Sequence, residues 1–370
     1  MTADAAAGRL PYSVLVGDGA LARVADHVQG VGAARWAVIA DAAVAERYGA
    51  AVQAQLSAAA TAPAVLLTVP SGEAHKTRDT WAQLTDALFA AGCGRDSAIL
   101  ALGGGVTGDL AGFVAATYMR GVPFVQAPTT LLAMVDASVG GKVGVDTPAG
   151  KNLVGAFHPP AAVVIDPAVL ATLPAPELRA GLVEALKHGV IASPAHFADA
   201  AALLRGDAPV VPAEFVAASV AIKAAVVAQD PRERGLRHVL NFGHTIGHAV
   251  ELLTGYAIRH GEAVAVGMVV EAAAGEAAGV TAPGTARQIR DALAAGGLPV
   301  ALPPGVWPDA VLDAARLDKK ARRGELRYAV PVRLGQMAEG DGRWTVALPD
   351  ALVRAALEQA ADAPQLPQAA

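Results

Sequence analysis

The sequence predicts an α/β domain followed by a helical one. Three observations lead there: short Val- and Ile-rich runs that alternate with Ala-rich helical patterns, a glycine turn between one such run and a helix, and loss of the strand signal after Pro174-Ala175-Pro176. Strands separated by helices imply βαβ units and a mainly parallel sheet, because a parallel neighbour can be reached only by a crossover. The expected strands are residues 12–16, 36–40, 64–69, 97–102, 124–127 and 162–165. Residues 177–191, 212–229, 243–254, 262–278 and 285–296 read as helices with Pro and Gly breaks between them. We set the boundary at residue 175, giving an α/β domain over 1–175 and a helical domain over 176–370. Residues 326–330 and 344–348 fit short strands or extended tails equally well, and the last Ala-Pro-Gln segment reads as frayed.

With 370 residues there is chain enough for two ordinary domains. Hydrophobic residues are 54% but aromatics only 4%, so the core is built from Ala and Val, which suits close helix packing and short buried strands. A net charge of -5 carries no global basic field, so nucleic acid and anionic membrane are poor partners, and an anionic ligand needs a local basic cluster. The first residues lack a basic segment before an apolar run, as expected of a cytoplasmic protein without a signal peptide. No apolar stretch is long enough to span a bilayer. The one cysteine, Cys93, rules out an internal disulfide, fits a reducing compartment and reads as a small turn or helix-end residue.

Residues 97–102 run into Gly103-Gly104-Gly105-Val106-Thr107-Gly108-Asp109, and a helical pattern follows. Gly103, Gly105 and Gly108 satisfy GxGxxG, where missing side chains let backbone N–H groups and a helix N-terminus approach a pyrophosphate. No acid stands about 20 residues downstream to hold a ribose. Asp41, at the end of the 36–40 strand, and Glu73 are the substitutes.

His244 and His248 sit at i and i+4 on one face of a helix that Gly243 opens. His260 lies in a loop over 255–261, just before Glu262 begins the next helix. Glu184 and His188 make a second i, i+4 pair. A set of N and O donors of this size suits zinc, whose catalytic sites keep three protein ligands and one open position. Spacing alone pairs His244 with His248.

Lys142, Lys151, Lys187, Lys223, Arg237 and Lys320 stand in apolar or glycine-rich surroundings, mostly without sequence-near acids. Clustered in loops, they suggest a site for a multiply anionic small molecule.

Linked stretches over nearly the whole chain resemble the 3-dehydroquinate synthase family. They are Pro70-Ser-Gly-Glu73 with Lys76, the 103–109 turn, Arg120-Gly, Pro128-Thr-Thr-Leu-Leu-Ala133, Val135-Asp-Ala-Ser-Val-Gly-Gly-Lys142, Gly150-Lys-Asn-Leu-Val-Gly-Ala-Phe157, Glu184-Ala-Leu-Lys187, Gly235-Leu-Arg237, Leu240-Asn-Phe-Gly-His-Thr245, His260-Gly-Glu and Asp318-Lys-Lys320. The resemblance implies a Rossmann-like NAD-binding domain, a helical metal-binding domain and an active site in the cleft between them. It implies conversion of 3-deoxy-D-arabino-heptulosonate 7-phosphate to 3-dehydroquinate and phosphate by transient oxidation, phosphate elimination, reduction and intramolecular aldol closure.

Carried over by motif, Glu184, His244 and His260 are the implied ligands of Zn2+ or Co2+, in place of the pair that spacing suggests. His248 is implied to relay protons near the substrate phosphate. Asp41, Glu73, Lys76, Gly104, Gly105, Val106, Thr107, Gly108, Asp109, Thr129, Thr130, Lys142, Lys151 and Thr172 match NAD contacts. Asp136, Lys142, Lys187, Glu233, Asn241 and His248 match catalytic residues, and Arg120, Lys142, Asn152, Lys223, Arg237 and Lys320 match substrate contacts. Arg120 is implied to reach across a homodimer interface. The sequence departs from the family at Asp146, where Asn is expected, at Pro231 after Asp230, and at His158-Pro-Pro. The alternatives are a related cyclase acting on sedoheptulose 7-phosphate, a metal-dependent polyol dehydrogenase that releases NADH, and a non-enzymatic NAD-binding regulator.

Overall fold

Alternating apolar runs in the first half fold as the strands expected of them. The computed structural model describes residues 10–206, 210–317 and 326–361. Strands β1 (Ser13–Val16), β2 (Arg35–Asp41), β3 (Val65–Val69), β4 (Ser97–Gly103), β5 (Phe124–Pro128) and β8 (Ala162–Ile165) form a parallel six-stranded sheet in the order β1-β8-β5-β4-β2-β3. The crossovers include α1 (Val24–Val28), α2 (Ala42–Val44), α3 (Ala50–Ala59), α4 (Arg78–Ala90) and α5 (Gly105–Thr117). β2 and β4 are neighbours whose chains leave in opposite directions, one toward β3 and the other toward β5. Such a reversal opens a crevice beyond the strand ends, where ligands of open α/β sheets bind.

One element escaped the periodicity reading. Residues taken as loops around Lys142, Lys151 and Asn152 form an antiparallel hairpin, β6 (Lys142–Thr147) with β7 (Gly150–Phe157). Its glycines hid it, since Gly weakens a strand pattern even where it allows close backbone approach. A Cβ on Gly155 would sit 2.3 Å from the Val143 carbonyl. Leu153, Val154 and Phe157 of β7 remain exposed.

By internal contacts the chain divides into two units: 1–174 with 211–225, and 175–210 with 226–370. The segment 211–225, at the start of α8 (Ala213–Gln229), thus belongs with the first unit, where a single cut at 175 puts it in the second.

The second unit contains α6 (Ala175–Ala192), α7 (Pro194–Leu204), α9 (His244–Leu253), α10 (His260–Ala277), α11 (Thr285–Ala295), α12 (Pro308–Leu317) and α13 (Asp350–Ala361). α7, α12 and α13 were not expected. Each is short; the apolar faces of α12 and α13 declare themselves only against the Ala- and Val-rich core around α9 and α10, and that of α7 only against α6. Residues 326–330 and 344–348 meet at an antiparallel bridge between Tyr328 and Val346, and a small hairpin of β9 (Pro331–Arg333) and β10 (Gln336–Met337) lies between them. The first nine residues, the Asp318-Lys319-Lys320 motif and the final Ala-Pro-Gln tail lie outside the described residues. No described helix is long and apolar enough to cross a membrane.

Glu184 and His188 share α6, but they face different surroundings. His188 lies within electrostatic reach of His196 on α7 and belongs to neither group of clustered metal donors among the described residues. Although it is spaced i, i+4 from Glu184, it thus stands apart from the clustered donors. Burial, then the neighbouring His188, pushes His196 down to about 4. Above the unfolded value, near 6.5, the ring is neutral in both states and costs nothing. As pH falls toward 4, the unfolded chain takes up a proton that the folded chain refuses. Stability should then drop by up to about 3 kcal/mol at 1.36 kcal/mol per pH unit. Denaturant unfolding at pH 7 and pH 4.5 checks this, with His196→Gln expected to lose most of that pH sensitivity. Equal sensitivity in both proteins would refute the assignment.

Candidate active site

In the first unit, candidate nucleotide residues gather at the strand ends beside the crevice. β4 ends in Gly103, and α5 starts at Gly105 with Gly104 as a cap that has no side chain to offer. Gly104, Gly105 and Val106 stay partly accessible, whereas Thr107 and Gly108 are buried. The first-turn N–H groups of a helix have no partners within it and can turn to an anion. Close packing explains the glycines: an added Cβ would lie 2.6 Å from Thr107 Oγ1 at Gly103, 3.1 Å from Thr130 Cγ2 at Gly104 and 2.4 Å from Gln126 Oε1 at Gly108. Thr129 and Thr130 follow β5, and the Thr129 amide donates to the Gly103 carbonyl at 2.9 Å. This side-chain-free cradle at the switch point fits a dinucleotide.

Asp41 ends β2, where its Oδ1 accepts from the Val44 amide and the Ser71 hydroxyl, both at 3.0 Å. Thr172 lies after β8 and shares a 3.1 Å hydrogen bond with Tyr48. Lys76 is buried, with its ammonium 2.6 Å from both Asp109 Oδ2 and Asn152 Oδ1. Burial alone would lower Lys76, but the Asp109 carboxylate wins and keeps it charged. Asp146, one of the departures, has a job in this network: its backbone donates to the Lys76 carbonyl at 2.7 Å and its carboxylate accepts from the Asn152 amide at 2.8 Å.

Four of the basic residues lie on regular elements and not in the loops the sequence suggested, and three of them have acids. Lys142 and Lys151 lie on strands, and Lys187 and Lys223 on helices. Lys223 Nζ donates to the Asp136 backbone carbonyl and carboxylate at 2.5 and 2.6 Å, Lys187 pairs with Glu184, and Lys151 lies 3.9 Å from Glu73. Their acids are supplied by tertiary contacts, or by a residue one helical turn away, which a scan for adjacent charges does not weigh. Arg120 is exposed on left-handed backbone at φ 70°, directly after Met119 at 51°. Side chains other than glycine adopt that conformation only under constraint.

In the second unit, Glu184, His244 and His260 converge. Glu184 is wholly buried on α6, and its Oε1 lies 3.5 Å from His244 Nε2 and 3.4 Å from His260 Nε2. Donors 2.0–2.1 Å from a tetrahedral zinc ion stand about 3.3 Å apart, so these separations fit a metal. Lys187 pairs with the other oxygen, Oε2. His260 is the first residue of α10, not a loop residue as expected, and Glu262 stands in its first turn. The helix starts earlier because Glu262 accepts from the Arg259 amide and caps it. Burial and then Lys187 push His244 well below the ordinary range. Burial opposes a proton on His260, but hydrogen bonds with Glu184 and Glu251 carry it up to about 10. Metal entry there releases a proton.

His248 lies on α9 beside these rings, 5.3 Å from His244 and 6.1 Å from His260 between centroids, and falls outside the Glu184 group. Asp230 shapes the loop that follows α8 by accepting from the amides of Arg234, Gly235 and Arg237 at 2.9, 2.7 and 3.1 Å. Within that loop Arg237 donates to the Pro231 carbonyl at 2.8 Å, and Asn241 to Glu233 at 2.9 Å. Pro231 is therefore absorbed, since the loop asks for its carbonyl and not its missing N–H. Sequence reasoning missed Asp230, Glu251 and Glu271 as supporting carboxylates, because their partners are backbone amides or lie on another helix.

A parallel-sheet unit whose glycine turn fits a nucleotide and a helical unit whose His-Glu cluster fits a metal ion are an architecture that solved sugar-phosphate cyclases share. The profile for the N-terminal part of 3-dehydroquinate synthase matches residues 66–180, and that for its C-terminal part matches 181–321. The chain belongs to the 3-dehydroquinate synthase family. It is 49% identical over 337 residues to the 3-dehydroquinate synthase of Xanthomonas axonopodis pv. citri, covering 87% of this chain and 90% of that one. Two solved structures are similar in fold. One is 2-deoxy-scyllo-inosose synthase complexed with carbaglucose-6-phosphate, NAD+ and Co2+, with TM-score 0.83, 25% identity, and 94% of this chain and 97% of that one covered. The other is 2-epi-5-epi-valiolone synthase from Streptomyces hygroscopicus subsp. jinggangensis with NAD+ and Zn2+, with TM-score 0.81, 30% identity, and 95% and 96% covered.

Proposed function

We propose that the chain carries out its family's reaction, converting 3-deoxy-D-arabino-heptulosonate 7-phosphate to 3-dehydroquinate and phosphate, in the cytoplasm and as a homodimer. The observation that carries the reading is a buried carboxylate, Glu184, shared between two imidazoles and the Lys187 ammonium in a chain 49% identical to a dehydroquinate synthase. When bound, NAD accepts and returns one hydride, and Zn2+ or Co2+ held by Glu184, His244 and His260 supplies a Lewis acid for the substrate oxygens.

The chain's own groups bind and orient. Lys223 and Arg237 answer the substrate carboxylate, while Lys142, Asn152, Lys320 and a partner's Arg120 answer the phosphate. Asp136 holds Lys223, Glu233 holds Asn241, and Lys187 stays beside the metal carboxylate. His248 moves protons near the phosphate. The cofactor contacts are Asp41, Glu73, Lys76, the 104–109 turn, Thr129, Thr130, Lys142, Lys151 and Thr172. Nucleotide binding resides in residues 1–175 and metal binding in 176–370. Few free carboxylates are needed if the substrate's phosphate takes the proton itself, so positioning supplies much of the rate. Two features support the dimer: the constrained, exposed Arg120 and the exposed apolar Leu153, Val154 and Phe157 of β7.

The test is incubation of the protein with the heptulosonate phosphate, catalytic NAD and zinc. Phosphate and dehydroquinate should appear together, with no net NADH. Turnover of sedoheptulose 7-phosphate alone would select the related cyclase, and NADH accumulating from a simple polyol would select the dehydrogenase.

A further inference from the structure

Two buried acids on α9 and α10 have no part in the scheme above. Glu251 is on α9, and its Oε2 lies 3.4 Å from Nδ1 of His260, the first residue of α10. Glu271 is on α10, and its two oxygens accept from the amides of Gly243 and Ile246 at 2.7 and 3.0 Å, in the turn that starts α9 with His244. We propose that Glu251 and Glu271 are reciprocal positioning residues: each helix begins with a metal-facing histidine and carries the carboxylate that fixes the other's. The proposal rests on the metal-site reading.

The chemistry on both sides is that of ligand support. An imidazole that binds metal through one nitrogen is oriented by what its other nitrogen meets. For His260 that partner is a carboxylate 3% exposed, and for His244 it is the Phe242 carbonyl, 3.1 Å from Nδ1. The Phe242 carbonyl is only as well placed as the turn that bears it, and Glu271 holds that turn. A helix normally draws such a cap from its own Ser, Thr, Asp or Asn. Here the cap residue is Gly243, at φ 78°, and a Cβ on it would meet Met268 Cγ at 2.5 Å and the Val264 carbonyl at 2.9 Å. The glycine that lets the helices meet thus removes the local cap, and the facing helix returns it as an anion at a positive helix end. The same closeness shows at Gly267, where a Cβ would fall 1.9 Å from the Gly243 carbonyl. A wholly buried carboxylate with no such work would carry a heavy desolvation cost.

Another use of these atoms competes, because His248, Glu251 and His260 also offer donors within 4.8 Å of one another. A second ion there would require His260 to bind through both nitrogens and so to lose both protons.

The full-length protein is stripped of metal and titrated with zinc and cobalt(II) against a chelator, recording affinity, ions per chain and the cobalt(II) absorption spectrum. Wild type should take one ion. Glu251→Ala should bind about 10–100-fold more weakly with a changed spectrum, and Glu251→Gln, whose amide oxygen still accepts from Nδ1–H, should recover most of the affinity. Glu271→Gln puts an amide N–H against a backbone N–H. It should weaken binding and lower the unfolding midpoint of the metal-free protein. If Glu251→Ala does not fold, Glu251→Asp decides, because the shortened acid cannot reach Nδ1 and should weaken binding similarly. Wild-type affinity and spectrum in Glu251→Ala, or in Glu251→Asp where Ala fails, overturn the proposal. So do two ions in wild type falling to one in Glu251→Ala, which would make Glu251 a ligand. No substrate enters the titration, so its outcome is separate from that of the dehydroquinate assay.

Discussion

Replacing His260 with alanine is expected to abolish both metal content and turnover, whereas His248→Ala should keep near-stoichiometric zinc and lose turnover alone. His260 Nε2 stands 3.4 Å from Glu184 Oε1, within the tetrahedral spacing of a common ion, and His248 lies outside that group. Loss of the ion removes several kcal/mol of charge stabilisation at the reacting oxygens, on the order of a thousandfold or more in rate. Exhaustive chelation of the wild type should do the same, and zinc or cobalt should restore activity. Metal analysis of the two variants separates the readings. Equal metal loss in both would return the ligand role to the His244 and His248 pair.

A mixture of two inactive variants is expected to regain activity. If Arg120 reaches the partner's substrate phosphate, Arg120→Ala and His260→Ala each disable every site of their own homodimers. In a mixed dimer one site carries both changes and the other carries neither. Random pairing makes about half the dimers mixed, so about one quarter of all sites should work like wild type. Should Arg120 serve its own chain, every site stays defective. Activity after demonstrated subunit exchange is the measurement, and its absence rejects the shared site.

How far the fold could be read from the sequence follows from the length of each signal. β4 and α10 are long, apolar and uninterrupted, and both were expected within a residue or two. The hairpin of β6 and β7 was not expected, because Gly144 and Gly155 interrupt its pattern where two backbones nearly touch. The start of α10 was read two residues late, since its cap depends on a side chain reaching back to Arg259.

Legible without coordinates are the two-part architecture, the glycine cradle and, through the linked motifs, the family. Periodicity and missing side chains are local properties, and a run of motifs in order needs no coordinates. Spacing does not say which donors meet; the linked motifs imply Glu184, His244 and His260, and the distances among them come from the tertiary structure. His244 and His248 lie one helical turn apart, yet the atoms facing Glu184 belong to His244 and to His260, sixteen positions away on another helix. The tertiary structure also decided which lysines have acids and that Glu251 and Glu271 hold the neighbouring helix. The contacts of Glu251 and Glu271 depend on how closely α9 and α10 pack, which is set by glycines whose effect appears only when a second backbone arrives.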